Sequence, residues 1–253
     1  MQKFKTITLD FSDHVVRLRL NSPPQNVITF QMMDELRAAI EQIEQHPAAS
    51  VILCGSDKAF SSGVDVAAHT PDKVEDMLRL FHSVIRSAAD CKKITIAAVQ
   101  GNCLGGGAEL AMVCDLVFTS PHARWGFPEI KLGCFPPVAC AGLASVVGPK
   151  HAADLILTGR QIDGTEAAAI GLANESLGTC EDRAEEFART FADLSPKALE
   201  ITKKAFYSWD AFHFDKGLAK AEKVYMEELM KTEDAKEGIN AFMQKRQPKW
   251  SGE

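Results

Sequence analysis

Apolar and polar residues alternate over residues 6–10 and 14–20, which predicts two strands joined by the turn Phe11-Ser-Asp. After the loop Asn21-Ser-Pro-Pro-Gln-Asn26 the period changes. Met32, Met33, Leu36, Ala39, Ile40 and Ile43 recur at helical spacing and predict a helix over residues 30–46. Residues 50–55 form a short apolar run, read as a buried strand, and residues 56–63 read as a loop. Thr70-Pro-Asp reads as the start of a helix running to about Cys91, with proline near its first turn. Residues 93–100 are a β-branched strand, 101–107 a glycine-rich turn, 108–114 a helix and 115–120 a strand. Strand, loop, helix and strand in repetition predict an α/β layer with helices on a sheet.

Beyond Pro136-Pro137 the pattern becomes helical, over 138–147, 151–158, 165–171, 180–192, 196–209, 212–231 and 232–246. Ser195 stands as an N-cap before Pro196. The join carries no Gly/Ser linker. The expected organisation is an α/β core over residues 1–194 followed by a C-terminal helical region over 195–253.

Composition narrows the function. Hydrophobic residues make up 46% and charged residues 25%, as in ordinary globular proteins. The net charge of −6 argues against a chain built to neutralise phosphate backbones. No apolar stretch approaches the ~20 residues of a membrane span. The N-terminus lacks the apolar core of a secretory signal, so the expected compartment is the cytoplasm. The seven cysteines include no Cys-x-x-Cys pair, and the histidines are scattered, so no metal site is expected.

Chemistry concentrates in three segments. Gly101-Asn-Cys-Leu-Gly-Gly-Gly107 matches neither the Gly-x-x-x-x-Gly-Lys-[Ser/Thr] phosphate loop nor Gly-x-Gly-x-x-Gly, and no Gly-x-Ser-x-Gly elbow is present. What remains is a strand, three glycines and a helix with Glu109 in its first turn. Glycine permits close backbone approach, and a helix start offers free N–H groups, a combination suited to a developing oxyanion. A tight, closely packed turn explains the same residues equally well. Alone, Lys58-Ala-Phe-Ser-Ser-Gly-Val-Asp65 reads as a surface turn, and Trp125-Gly-Phe-Pro-Glu129 as a loop glutamate beside a helix start.

In order and spacing these segments resemble the enoyl-CoA hydratase/isomerase (crotonase) family, and the resemblance covers nearly the whole chain. Ala59-Phe-Ser-Ser-Gly-Val-Asp65 is similar to the family's first oxyanion loop. Gln100 to Asp115 is similar to its second oxyanion turn and catalytic helix. Phe127-Pro-Glu-Ile-Lys-Leu-Gly133 is similar to its second catalytic segment. The resemblance implies a ββα spiral core, with the backbone N–H groups of Val64 and Gly106 as an oxyanion hole for a thioester carbonyl. It implies Glu109 and Glu129 as the two catalytic carboxyls, and an acyl-CoA thioester as substrate. CoA would then be part of the substrate, and no separate cofactor is implied. It also implies a homotrimer or homohexamer with contacts through the C-terminal helices, where Phe206, Trp209, Phe212, Phe214 and Tyr225 fit an interface or an internal core.

There are departures from the family pattern. Asp65 is followed by Val66-Ala67-Ala68, where the family often has a CoA-binding lysine. Phe127 replaces a usual glutamine. Cys134-Phe-Pro-Pro-Val-Ala-Cys140 replaces a glycine-rich run. Leu132-Gly-Cys-Phe-Pro-Pro-Val-Ala139 resembles the subgroup that hydrates cyclohexa-1,5-diene-1-carbonyl-CoA. This implies an acyl pocket walled by Phe127, Phe135 and Pro136 and a cyclic, conjugated acyl group; Phe135 and the prolines packing a helix start is the alternative. A Δ-isomerase using one glutamate, and a non-catalytic relative binding RNA or a partner, are the competing functions. Both glutamates and the acidic charge speak against the last.

Overall fold

The computed structural model describes residues 4–251, apart from the side chains of residues 208–213. Strands β1 (Ile7–Phe11) and β2 (Val15–Leu20) form the antiparallel hairpin that their alternation predicts. Helix α1 (Phe30–Gln45) begins where the Thr29 hydroxyl accepts the Met32 N–H, and it buries Met32, Met33, Leu36, Ala39 and Ile43. Strand β3 (Ser50–Cys54) is buried at every position, as a strand covered on both faces must be. There follow β4 (Ala59–Ser61), α2 (Val74–Ala89), β5 (Ile94–Val99), β6 (Asn102–Leu104), α3 (Gly106–Met112), β7 (Leu116–Thr119) and β8 (Arg124–Gly126). Then come α4 (Pro137–Val147), α5 (Pro149–Thr158), β9 (Gln161–Asp163), α6 (Gly164–Ala169), β10 (Glu175–Ser176), α7 (Cys180–Thr190), α8 (Pro196–Glu227) and α9 (Glu233–Met243).

Two sheets organise these elements. The larger has the order β1-β2-β3-β5-β7-β10 and is parallel from β2 onward. Alternation sends Leu18, Val51, Leu53, Ala97 and Val99 into the main core, where α1 and α2 also bury their apolar faces. The opposite face, through Val15, Ile52, Ile96 and Phe118, receives Cys180, Ala184 and Ala188 of α7. The smaller sheet has the order β4-β6-β8-β9, with β4, β6 and β8 parallel. This mixed α/β architecture is the expected fold class.

Helix α8 reaches back to the larger sheet. Lys203 Nζ lies 2.7 Å from Asp115 Oδ2 and donates to the Lys93 carbonyl at 2.9 Å. Asp115 also accepts the Thr95 N–H and hydroxyl. Among the described residues no helix is long and apolar enough to cross a membrane.

Several expectations need correcting. Thr70-Pro-Asp does not start α2; its residues close a turn in which the Lys73 and Val74 N–H groups both donate to the Thr70 carbonyl. The helix begins at Val74, after a separate 3-10 turn, Val66–His69, capped by Asp65. The two helices expected over 196–209 and 212–231 are one, because Asp210-Ala211 offers neither proline nor glycine to interrupt the backbone hydrogen bonds. Trp209 and Phe212 lie outside the described side chains. Residues 56–63 and the glycine-rich turn contain β4 and β6, and β8, β9 and β10 also escape the sequence pattern. Two or three residues are too few to display alternation.

Candidate active site

The three chemical segments leave neighbouring strands. β4, β6 and β8 run parallel, so the loops that follow them emerge side by side at their carboxyl ends, the usual place for a ligand crevice in a parallel sheet. The loop after β4 carries Gly63 and Val64. The turn after β6 carries Gly105 and Gly106. The 3-10 turn after β8, Pro128–Leu132, carries Glu129.

Val64 and Gly106 meet. A Cβ built on Gly106 would stand 2.8 Å from Val64 Cγ2 and 3.0 Å from Phe81 Cζ of α2, so only glycine fits. Gly106 is the first residue of α3, where an N–H has no intrahelical carbonyl to reach. The loop around Val64 is pinned by its neighbours: the Ile28 N–H donates to the Gly63 carbonyl at 2.9 Å and the Asp65 N–H to the Ile28 carbonyl at 3.1 Å. Among the described residues the Val64 N–H itself donates to no backbone carbonyl. The two residues therefore adjoin, as a pair of donors to one oxyanion must.

Sequence reasoning missed Asn26, which holds this loop. Asn26 is 1% exposed, and its side-chain amide donates to the Ala59 and Phe60 carbonyls. Its own carbonyl accepts the Ser61 hydroxyl at 2.7 Å, and that hydroxyl accepts the Gly63 N–H at 3.1 Å. The only signal in the sequence is an asparagine closing a proline-containing loop.

Glu109 points from the first turn of α3 to the start of α4. Its Oε1 accepts the Val138 and Ala139 N–H groups at 2.9 and 3.0 Å. Pro137 occupies the first position of α4, so these are the first N–H groups that helix has to offer. The departure from the glycine-rich run thus creates a helix start that a carboxylate caps. Glu129 packs against the glycine that precedes α3. Its Oε1 would stand 2.6 Å from a Cβ on Gly105, whose φ of +51° with ψ of −129° is open only to glycine. Glu129 Oε2 is enclosed and, among the described residues, has no hydrogen-bond partner.

These surroundings set the protonation order. Burial pushes the Glu109 carboxyl up, while the Ala139 and Val138 N–H groups hold it down. Burial also pushes Glu129 up, the Glu109 charge adds to the effect, and only its own backbone N–H holds it down. Glu129 therefore keeps its proton when Glu109 gives one up.

The expected wall residues occupy different depths. Phe127 is fully buried in the main core and precedes the 3-10 turn that carries Glu129. Pro136 is buried at the N-cap of α4. Phe135 is half-buried, its ring edge-on to Tyr225 with centroids 5.1 Å apart. A cavity of about 350 Å³ touches Met112, Ala141 and Phe214. It lies at the C-terminal end of α3, away from the Val64–Gly106 donors. Among the described residues no group of three or more His, Cys, Asp or Glu side chains is placed to hold a metal ion.

Residues 10–253 match the family model for enoyl-CoA hydratase/isomerase. The chain belongs to that family and is an enzyme of it. The cyclohexa-1,5-dienecarbonyl-CoA hydratase of Thauera aromatica is 35% identical over 96% of this chain and 95% of its own. A probable enoyl-CoA hydratase of Bacillus subtilis (strain 168) is 33% identical over 98% of this chain and 99% of its own. Among solved structures, an enoyl-CoA hydratase/isomerase from Xanthobacter autotrophicus Py2 superposes with a TM-score of 0.88 at 29% identity, over 96% of this chain and 94% of that one.

Proposed function

We propose that this enzyme adds water across an α,β-unsaturated acyl-CoA thioester, with Glu109 as base, Glu129 as acid and the Val64 and Gly106 N–H groups as oxyanion hole. The observation that carries the reading is a pair of enclosed carboxyl groups within electrostatic reach of each other, Glu109 restrained by two N–H donors and Glu129 with one oxygen that has no partner among the described residues, beside the adjoining Val64 and Gly106.

The thioester oxygen binds Val64 and Gly106. Glu109 takes a proton from water as the oxygen attacks the β-carbon, and the π electrons move to the thioester oxygen. Backbone donors stabilise that enolate, where a single donor is worth roughly 3–4 kcal/mol in other oxyanion holes. The enolate collapses by taking the Glu129 proton at carbon. Glu109 then returns its proton to Glu129, which restores the starting state. CoA is carried as part of the substrate.

We further propose a cyclic, conjugated acyl group. The Thauera aromatica relative supports this, together with the stiff run Cys134-Phe-Pro-Pro137 and the Phe135 ring braced by Tyr225. A wall already in place favours a flat ring by buried area, about 25 cal/mol per Å², with little ordering cost. The test is kcat/KM for cyclohexa-1,5-diene-1-carbonyl-CoA against crotonyl-CoA. Preference for the ring is expected; preference for crotonyl-CoA would leave a hydratase of linear chains. Turnover in H₂¹⁸O without solvent oxygen in the product would identify an isomerase instead.

A further inference from the structure

Tyr225 comes from the far end of α8 and is 1% exposed. Its ring is held edge-on by Phe135 at an interplanar angle of 65°. Its hydroxyl is enclosed and, among the described residues, has no hydrogen-bond partner that meets normal geometry. A polar neighbour is the Cys134 thiol, which donates its own hydrogen to the Leu132 carbonyl at 3.6 Å. Sulfur is a weak acceptor, so the phenol remains poorly matched. Burial holds this phenol well above its ordinary range, and the Cys134 thiol and the Glu129 and Glu109 carboxyls add to the effect. It therefore stays a neutral O–H donor at any working pH.

A phenylalanine at 225 would keep the ring contact and avoid burying an unmatched hydroxyl. Glu129 Oε2 is unmatched in the same way. Two enclosed, unmatched polar groups therefore lie within electrostatic reach of each other and of Glu109, one of them on the ring that packs against Phe135. The thioester oxygen is assigned to Val64 and Gly106. The other oxygen in the reaction is the one transferred.

We propose that the Tyr225 hydroxyl donates a hydrogen bond to the transferred oxygen, the attacking water in one direction and the hydroxyl of the hydrated thioester in the other, and so places it against Glu109 and Glu129. This rests on the hydratase reading. Tyr225 keeps its proton throughout. Water gives its proton to Glu109 and its oxygen to the substrate carbon, Glu129 protonates the enolate, and Tyr225 only orients the oxygen.

The test is Tyr225→Phe, measured in two ways alongside melting temperature. Hydration of the wild-type enzyme's preferred enoyl thioester is expected to fall at least ~10-fold in kcat, the loss of about one hydrogen bond. Calorimetric titration with paired thioesters reads the contact directly: 3-hydroxybutyryl-CoA against butyryl-CoA, and 6-hydroxycyclohex-1-ene-1-carbonyl-CoA against cyclohex-1-ene-1-carbonyl-CoA. In the pair that the wild type binds, the variant should lose at least ~5-fold in affinity for the hydroxylated member and stay within ~2-fold for the other. The melting temperature should hold or rise. Unchanged kcat and affinities would overturn the proposal, and so would equal loss for both members of a pair, which is the mark of disturbed packing. A wild-type enzyme that hydrates no enoyl thioester would instead overturn the hydratase reading.

Discussion

Glu109 and Glu129 are two like groups made unlike by what surrounds them. A carboxylate that accepts two N–H bonds tolerates its charge, whereas an enclosed carboxyl with one oxygen left unpartnered beside that charge tolerates it less. Replacing either by glutamine keeps the shape and removes the proton transfer. Glu109→Gln and Glu129→Gln are each expected to lower kcat at least ~100-fold while circular dichroism stays unchanged. Near-wild-type turnover by a folded variant would remove that residue from the mechanism. The pH profile follows from the same surroundings. Glu109 must be ionised and Glu129 protonated, so kcat/KM should be bell-shaped. Both folded-state values are raised, so both limbs should lie above the ordinary glutamate value of about 4.3. An acid limb at the ordinary value would contradict the burial argument. Stability has the opposite sign. The folded state binds these protons more tightly than the unfolded chain, so their contribution is full below the unfolded value and is lost as pH rises through the folded ones. The melting temperature of Glu129→Gln should therefore gain on that of the wild type as pH rises.

Among the elements, strands of three residues decide the most and announce themselves the least. β3 and β5 are legible because short runs that are almost wholly apolar, broken only by Ser50 and Thr95, fit a covered strand, and α1 because its apolar positions repeat every turn. β4, β6 and β8 show neither pattern, yet their parallel pairing brings Val64, Gly106 and Glu129 to one edge. The candidate residues were legible as motifs. What the sequence could not convey was which carboxyl holds the proton, because that depends on N–H groups 29 and 30 residues away from Glu109. Asn26 and Tyr225 were illegible for a similar reason: each acts across a contact remote in sequence. The attachment of α8 is another such contact. Lys203 and Asp115 side chains are 8% and 11% exposed, so Lys203→Ala would leave a carboxylate enclosed without its counter-charge. A loss of about 3–5 kcal/mol is expected in urea unfolding. A loss below ~1 kcal/mol would show the pair to be effectively solvated.

For the whole molecule, assembly is the open expectation. We propose a homotrimer or homohexamer. Ile201 and Phe206 on α8, and Phe242 and Met243 at the end of α9, are each more than half exposed, an unfavourable arrangement for an isolated chain. Light scattering should return three or six times 27.6 kDa. A monomer at micromolar concentration would end the assembly proposal without touching the chemistry.

The cap on α4 ties catalysis to selectivity. The oxygen of Glu109 that accepts Val138 and Ala139 belongs to the proposed base, and the helix it caps begins at the proposed acyl wall. On the proposed mechanism, each turnover that protonates Glu109 would weaken the anchor of that wall, and each ionisation would restore it. A substitution that shifts Phe135 or Pro136 to admit a different acyl group also moves the donors that set the base's proton affinity. Along such a series of variants, substrate range and pH optimum would change together.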